Sequence, residues 1–221
     1  MSVGEQEVES LTGIPRIGDK APDFEAQTTQ GQIRFSEFNQ QNWVILFSHP
    51  ADFTPVCTTE LVEFAKESDY FAERSTKLIG LSIDSIHSHI AWVHNVKEKT
   101  GVLLDFPLIA DLDMSVAKSY GLIHPGEDST ATVRAVFIID PTQTVRAIIY
   151  YPLNVGRSID EIKRLLEALQ TTDENGVACP VNWEKGDKVV VPPPKTIKDM
   201  DERDSNESYE KTDFYLAKKS L

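Results

Sequence analysis

Cysteine is scarce in this chain: Cys57 and Cys179 are the two in 221 residues. A pair so widely separated does not make the disulfide framework of a small secreted domain. Basic residues are in deficit as well, 22 Lys and Arg against 35 Asp and Glu, for a formal charge of −13. A surface of that sign repels phosphate backbones and anionic headgroups, which argues against a nucleic-acid or membrane partner. No apolar run approaches the roughly 18 residues of a membrane span. The first ten residues carry Glu5, Glu7 and Glu9 and lack the basic start and apolar stretch of a secretory leader. These absences lead to the expectation of a reducing, cytoplasmic setting, in which an ordered thiol is free to do chemistry.

What is present suits one α/β domain with an appendage: 40% of residues are hydrophobic, enough for a sizeable core. Residues 1–16 read as a polar lead-in. Thr28–Phe35 reads as a hairpin turning at Gln30-Gly31. The apolar run Trp43–Phe47 is short, aromatic and β-branched, as a strand buried on both faces is. After Cys57, Leu61, Phe64, Ala65 and Phe71 fall near one helix face. Leu78–Ile83 is a second buried strand, and Ser88–Thr100 a helix ended by Gly101. A short strand (Phe106–Ala110) and a short helix (Ser115–Tyr120) follow. Ala135–Ile139 and Thr144–Tyr150 are strands joined by Asp140-Pro141-Thr142-Gln143. Ser158 and Glu161 match a capping box that opens a helix with Ile159, Ile162, Leu165, Leu166 and Leu169 on one face. Parallel crossovers followed by a terminal hairpin describe a thioredoxin-like α/β fold, a mixed central sheet flanked by helices. Composition shifts near Thr171, so the chain is divided into a domain over 1–171 and a C-terminal extension over 172–221. That extension holds the stiff Pro192-Pro193-Pro194 and a dense acidic stretch, 199–213.

The chemistry concentrates in Ser48-His49-Pro50-Ala51-Asp52-Phe53-Thr54-Pro55-Val56-Cys57. A buried strand ends, a proline-punctuated loop follows, and a cysteine lands in the first turn of a helix. Unpaired N–H groups and the helix dipole favour a thiolate at that place. Thr54 supplies a hydroxyl and Pro50 a wall against water. A thiolate attacking a peroxide also needs a cation beside it. Arg134 is the candidate, because it opens the buried strand Ala135–Ile139, where an unpaired guanidinium would be costly. A structural ion pair is the alternative role for Arg134. His87, His89 and His94 are read as a solvated polar helix face rather than metal ligands, because positions 87 and 89 do not share a face.

These residues resemble a peroxiredoxin. Pro50-Ala51-Asp52-Phe53-Thr54-Pro55-Val56-Cys57 fits the family's Pro-x-x-x-Thr-x-x-Cys motif, and Arg134 stands where its arginine is expected. His49 before Pro50, Asp140-Pro141, Tyr151-Pro152, Gly156-Arg157 and the long C-terminal arm look like the 1-Cys, or peroxiredoxin-6, branch. The resemblance implies a thiol peroxidase that reduces hydrogen peroxide and organic hydroperoxides through a sulfenic acid at Cys57. Thr54 and Arg134 would bind peroxide and activate the sulfur, Pro50 would shield it, His49 would support Thr54 or the pocket, and Arg157 would be an outer charge. It implies no cofactor and no metal, a thioredoxin-like or small-thiol reductant, and a homodimer or decamer.

Two segments depart from that branch. Val177-Ala178-Cys179-Pro180 resembles the resolving-cysteine segment of 2-Cys relatives, so Cys179 is either a resolving cysteine or a free thiol. Residues 39–44 lack the Gly-x-Ser-x-Gly element to which a phospholipase activity of some relatives is ascribed, and that activity is expected to be absent. Two other readings compete. A dithiol oxidoreductase lacks its second cysteine, since Cys57-Thr58-Thr59-Glu60 is not Cys-x-x-Cys. An oligomeric holdase or redox-sensing binding protein is the alternative from outside enzymology.

Overall fold

A computed structural model describes residues 14–221, so most of the expected polar lead-in (1–16) lies outside the described residues. The chain divides into two compact units, Met1–Arg157 and Ser158–Leu221.

In the first unit, a hairpin of β1 (Glu25–Thr28) and β2 (Gly31–Arg34) leads into a short helix α1 (Phe35–Asn39). Then come β3 (Trp43–Ser48), α2 (Pro55–Lys66), α3 (Ser68–Ala72), β4 (Thr76–Ser82), α4 (Ile86–Thr100), β5 (Leu108–Ala110), α5 (Ser115–Ser119), β6 (Arg134–Ile139) and β7 (Val145–Tyr151). Among the described residues, the strands form a seven-stranded sheet in the order β2-β1-β5-β4-β3-β6-β7. The inner strands β3, β4 and β5 run parallel, which requires the helical crossovers that lie between them. β6 returns antiparallel to β3, and β7 pairs antiparallel with β6. This is the mixed sheet of the thioredoxin-like fold that the sequence implies.

Every residue of β3 and β6 is buried, as continuous apolar runs in the middle of a covered sheet should be. One core cluster joins Val44, Leu46, Ile79, Leu81, Ala135 and Phe137. Gly80 in β4 has a packing reason: a Cβ there would stand 2.5 Å from a Leu108 methyl. The helix expected to continue from Cys57 through Phe71 is instead two, α2 and α3, separated at Glu67. Gly101 closes α4 in a left-handed conformation, as its position predicts (φ 76°).

The second unit contains α6 (Ile159–Asn175), β8 (Val189–Val191), α7 (Ile197–Ser205), β9 (Glu210–Asp213) and β10 (Leu216–Lys219). Ser158 accepts from the Glu161 N–H, but the Glu161 carboxylate turns to Arg164 rather than completing the box. A full capping box occurs at α7, between Thr196 and Asp199. The three strands form an antiparallel sheet, β8-β10-β9, that the charged and proline-rich sequence does not announce. Ala168, Val177, Trp183 and Val189 make a small core, against which Cys179 packs.

Candidate active site

β3 delivers the loop 49–54 at its carboxyl end, and α2 begins immediately after it. Thr54 is the N-cap residue, yet its hydroxyl donates to the Ala51 carbonyl (2.8 Å) rather than capping the helix. Pro55 occupies the first helical position, where its missing N–H costs nothing. The first backbone bond of the helix runs from Thr58 N–H to Thr54 C=O (3.0 Å). The N–H groups of Val56 and Cys57 therefore belong to the turn that α-helices leave unpaired. Cys57 sits in that turn as a free, fully buried cysteine. Pro50 and Thr54 are half-buried, and Phe53, held at a positive φ of 54°, is exposed.

Arg134, the first residue of β6, reaches across to the thiol. Its Nη1 lies 3.2 Å from Cys57 Sγ and 2.8 Å from Glu60 Oε2, and its Nε donates to the Leu153 carbonyl (2.9 Å). Glu60, one helical turn beyond Cys57, is the residue that sequence reasoning missed. Its Oε1 accepts from the backbone and Nε of Arg157 (2.8 and 2.9 Å), and its Oε2 from Arg157 Nη2 (2.7 Å). Arg157 Nη1 completes its set on the carbonyls of Ser48 and Ala135, at 2.8 and 3.0 Å. The Arg157 guanidinium also lies against the Phe47 and Phe64 rings. Burial works to raise the Glu60 carboxyl, but the Arg157 charge, its hydrogen bonds and the Arg134 charge outweigh it and hold the group below the usual range. Two guanidiniums and one carboxylate leave one positive charge uncompensated in a buried cluster. A thiolate at Cys57 would neutralise it.

A second cluster adjoins the loop. His49 Nε2 lies 3.0 Å from Asp52 Oδ1, and His89 Nδ1 lies 2.9 Å from Asp52 Oδ2. All three side chains are buried. This corrects the reading of His89 as part of a solvated face: His87 and His94 are exposed, whereas His89 shares the inward stripe of α4 with Trp92 and Val96. Donor atoms of His49, Asp52 and His89 lie within 4.8 Å of one another, as a metal triad would need. Asp52 bonds both histidines directly, as in a hydrogen-bond network, and His49 Nδ1 is left without a partner.

Cys179 belongs to the second unit, where its thiol faces the Ala168 carbonyl at 3.7 Å. Burial pushes this thiol up, against the opposing pull of Arg164.

A mixed thioredoxin-like sheet with a free cysteine at a helix N-terminus, hydrogen-bonded by a buried arginine, defines a thiol-dependent peroxidase. Residues 17–148 match the AhpC/TSA family, and residues 168–204 match the C-terminal domain of 1-Cys peroxiredoxin. A peroxiredoxin of Aquifex aeolicus is 52% identical over 221 residues, covering 96% of this chain and 99% of the relative. The solved structure of yeast mitochondrial 1-Cys peroxiredoxin, whose thiol is resolved via glutathione/thioredoxin systems, superposes with a TM-score of 0.85. It is 40% identical and covers 94% of this chain and 100% of its own. A peroxiredoxin 6 of Arenicola marina, solved as a cysteine-to-serine mutant, gives 0.84 at 35% identity, over 94% and 98% of the two chains. The chain belongs to the AhpC/TSA family of peroxiredoxins, on its 1-Cys branch.

Proposed function

We propose that Cys57 is the peroxidatic nucleophile, reducing hydrogen peroxide and organic hydroperoxides with Thr54 and Arg134 as its partners. The observation that carries this reading is the 3.2 Å approach of Arg134 Nη1 to Cys57 Sγ. The thiolate attacks the terminal peroxide oxygen, the S–O bond forms as the O–O bond breaks, and the departing alkoxide or hydroxide takes up a proton. Cys57 is left as a sulfenic acid. Arg134 stabilises the sulfur anion and the charge developing on the leaving oxygen. The Thr54 hydroxyl, already committed as a donor to Ala51, offers its lone pairs to the peroxide proton. Pro50 covers the sulfenic acid, and Arg157 holds Glu60 and through it Arg134. No cofactor or metal enters these steps.

A thiol returns Cys57 to the reduced state. The yeast relative, served by glutathione and thioredoxin systems, favours a thioredoxin-like protein or a small thiol as reductant. Cys179 as resolving cysteine is the other route. We take 1–171 as the peroxidase domain and 172–221 as an extension that makes a dimer contact, with decamers a further level of assembly. The assigned setting is the cytoplasm; no helix among the described residues is long and apolar enough to cross a membrane. The test is peroxide consumption by Cys57→Ser, expected to fall by at least about 10²-fold. Full activity in that variant would overturn the assignment.

A further inference from the structure

Main-chain pairing between β3 and β6 stops just short of the residues that matter at the thiol. The antiparallel register runs from Val44 opposite Ile139 to Phe47 opposite Val136. Its next step would set Ser48 against Ala135, and the one after it His49 against Arg134. Side-chain hydroxyls make the connection there instead. Ser48 Oγ donates to the Val133 carbonyl at 2.5 Å and accepts from the Ala135 N–H at 3.1 Å. Thr132 Oγ1 donates to the His49 carbonyl at 2.7 Å. Both Ser48 and Thr132 are fully buried.

This arrangement lets the chain turn at Arg134 while holding the turn still. The Ala135 N–H also donates to the Val133 carbonyl at 3.1 Å, an i+2 to i bond that closes a γ-turn centred on Arg134. Ser48 Oγ thus grips the peptide groups on both sides of Arg134. On the other flank β3 is fixed in the ordinary way, the His49 N–H donating to the Leu81 carbonyl at 2.9 Å. The Ser48 and Ala135 carbonyls accept from Arg157 Nη1 at 2.8 and 3.0 Å. One serine therefore bonds the main chain around one buried arginine and the guanidinium of the other. Arg134 is where placement counts: its Nη1 meets Cys57 Sγ at 3.2 Å, and the loop that carries Cys57 begins at His49. A small rotation of the main chain at Arg134 is magnified at the tip of so long a side chain. Only a hydroxyl can serve at position 48, because one atom must donate and accept at once.

We propose that Ser48 and Thr132 are positioning residues: their buried hydroxyls take over from the β3–β6 ladder and hold the thiol loop and the turn at Arg134 in one register, so that the guanidinium meets the sulfur. The inference rests on the assignment of Cys57 as nucleophile. Both residues act through Arg134 and the loop rather than on the peroxide.

The quantity to measure is the second-order constant for Cys57 oxidation by hydrogen peroxide, read by stopped flow on the full chain. Ser48→Ala and Thr132→Val should each lower it by about tenfold, less than a misplacement of about 1 Å can cost. Thr132→Ser keeps the hydroxyl and should stay within about twofold of wild type. In an Arg134→Lys background, Ser48→Ala should cost less than about twofold, because residues that act through one another are not additive. Wild-type constants in folded Ser48→Ala and Thr132→Val overturn the proposal. So does a loss from Ser48→Ala that persists in full in the Arg134→Lys background, as a general loosening of the fold would. Should Ser48→Ala fail to fold, the two variants at Thr132 decide: a loss confined to Thr132→Val supports the proposal, and equal constants overturn it. Failure of the wild-type protein to oxidise at Cys57 would instead sink the underlying assignment.

Discussion

Glu60 grips Arg134 by the same nitrogen that reaches the thiol: Nη1 lies 2.8 Å from Glu60 Oε2 and 3.2 Å from Cys57 Sγ. The carboxylate thus aims the guanidinium while withholding part of its charge from the sulfur. With Arg157 sharing the same oxygen, the pull of Glu60 is divided between two cations, and a net positive field remains at Cys57.

Glu60→Ala should be strongly destabilising, because it leaves two buried guanidiniums facing each other without a counter-charge. Breaking a buried pair of this kind costs about 3–5 kcal/mol. Urea unfolding will read the loss. An unfolding midpoint equal to that of wild type would mean that the arginines find other partners.

Arg134→Lys tests the fork. One ammonium cannot span the Leu153 carbonyl, Glu60 and Cys57 together in the way that Nε and Nη1 do. The rate constant for Cys57 oxidation should fall by about 10²-fold, the usual cost of losing one well-aimed donor. Stopped-flow measurement with hydrogen peroxide checks it, and the fold should survive because the positive charge is kept.

Acid should unfold this protein in two overlapping steps of one sign. The folded His49 ring resists protonation, so stability is complete above the unfolded value of about 6.5 and declines as pH falls below it. Asp52 and Glu60 are held low in the fold, so their contributions are intact above the unfolded values of about 3.9 and 4.3 and are lost as pH falls further. Denaturation midpoints measured from pH 7 to pH 3 should drop throughout. Asp52→Asn should start lower at pH 7 and show a shallower fall in the lower part of that range.

Cys179 should be a slow thiol at neutral pH. Burial raises it in the fold, which keeps the reactive anion scarce. Alkylation of Cys179 by iodoacetamide in a Cys57→Ser background, followed by mass spectrometry, should run slower than for a small free thiol at pH 7 and accelerate steeply above pH 9. Labelling as fast as a small thiol would show that Arg164 governs the group instead.

The sequence carries the nucleophile and its cation because both sit on strong local signals. Thr54 and Cys57 lie in one proline-framed loop, and Arg134 precedes a run of apolar residues that can only be an inner strand. Glu60 and His89 are harder to see, because each is a polar residue at an inward position of an amphipathic helix. Glu60 follows Cys57 by one turn and is flanked by the buried Leu61 and Phe64; His89 precedes Trp92 and Val96 on one face. A charged or imidazole side chain on such a stripe is a signal for a buried partner, but the partners Arg157 and Asp52 are 97 and 37 residues away. The second sheet is illegible for another reason. β9 is exposed throughout and carries charges on most of its positions, so no alternation marks it, and pairing with β10 alone defines it.

The stretch between β7 and α6 is where the sheet edge governs the sulfur. The Leu153 carbonyl steadies Arg134, and the Arg157 main-chain N–H steadies Glu60. Substitutions or insertions in residues 152–157 would retune the reactivity of Cys57 by shifting the lever on which its guanidinium turns. Variation among natural or engineered forms of this short connection is therefore a place to look for differences in oxidation rate that the loop around the thiol would not explain.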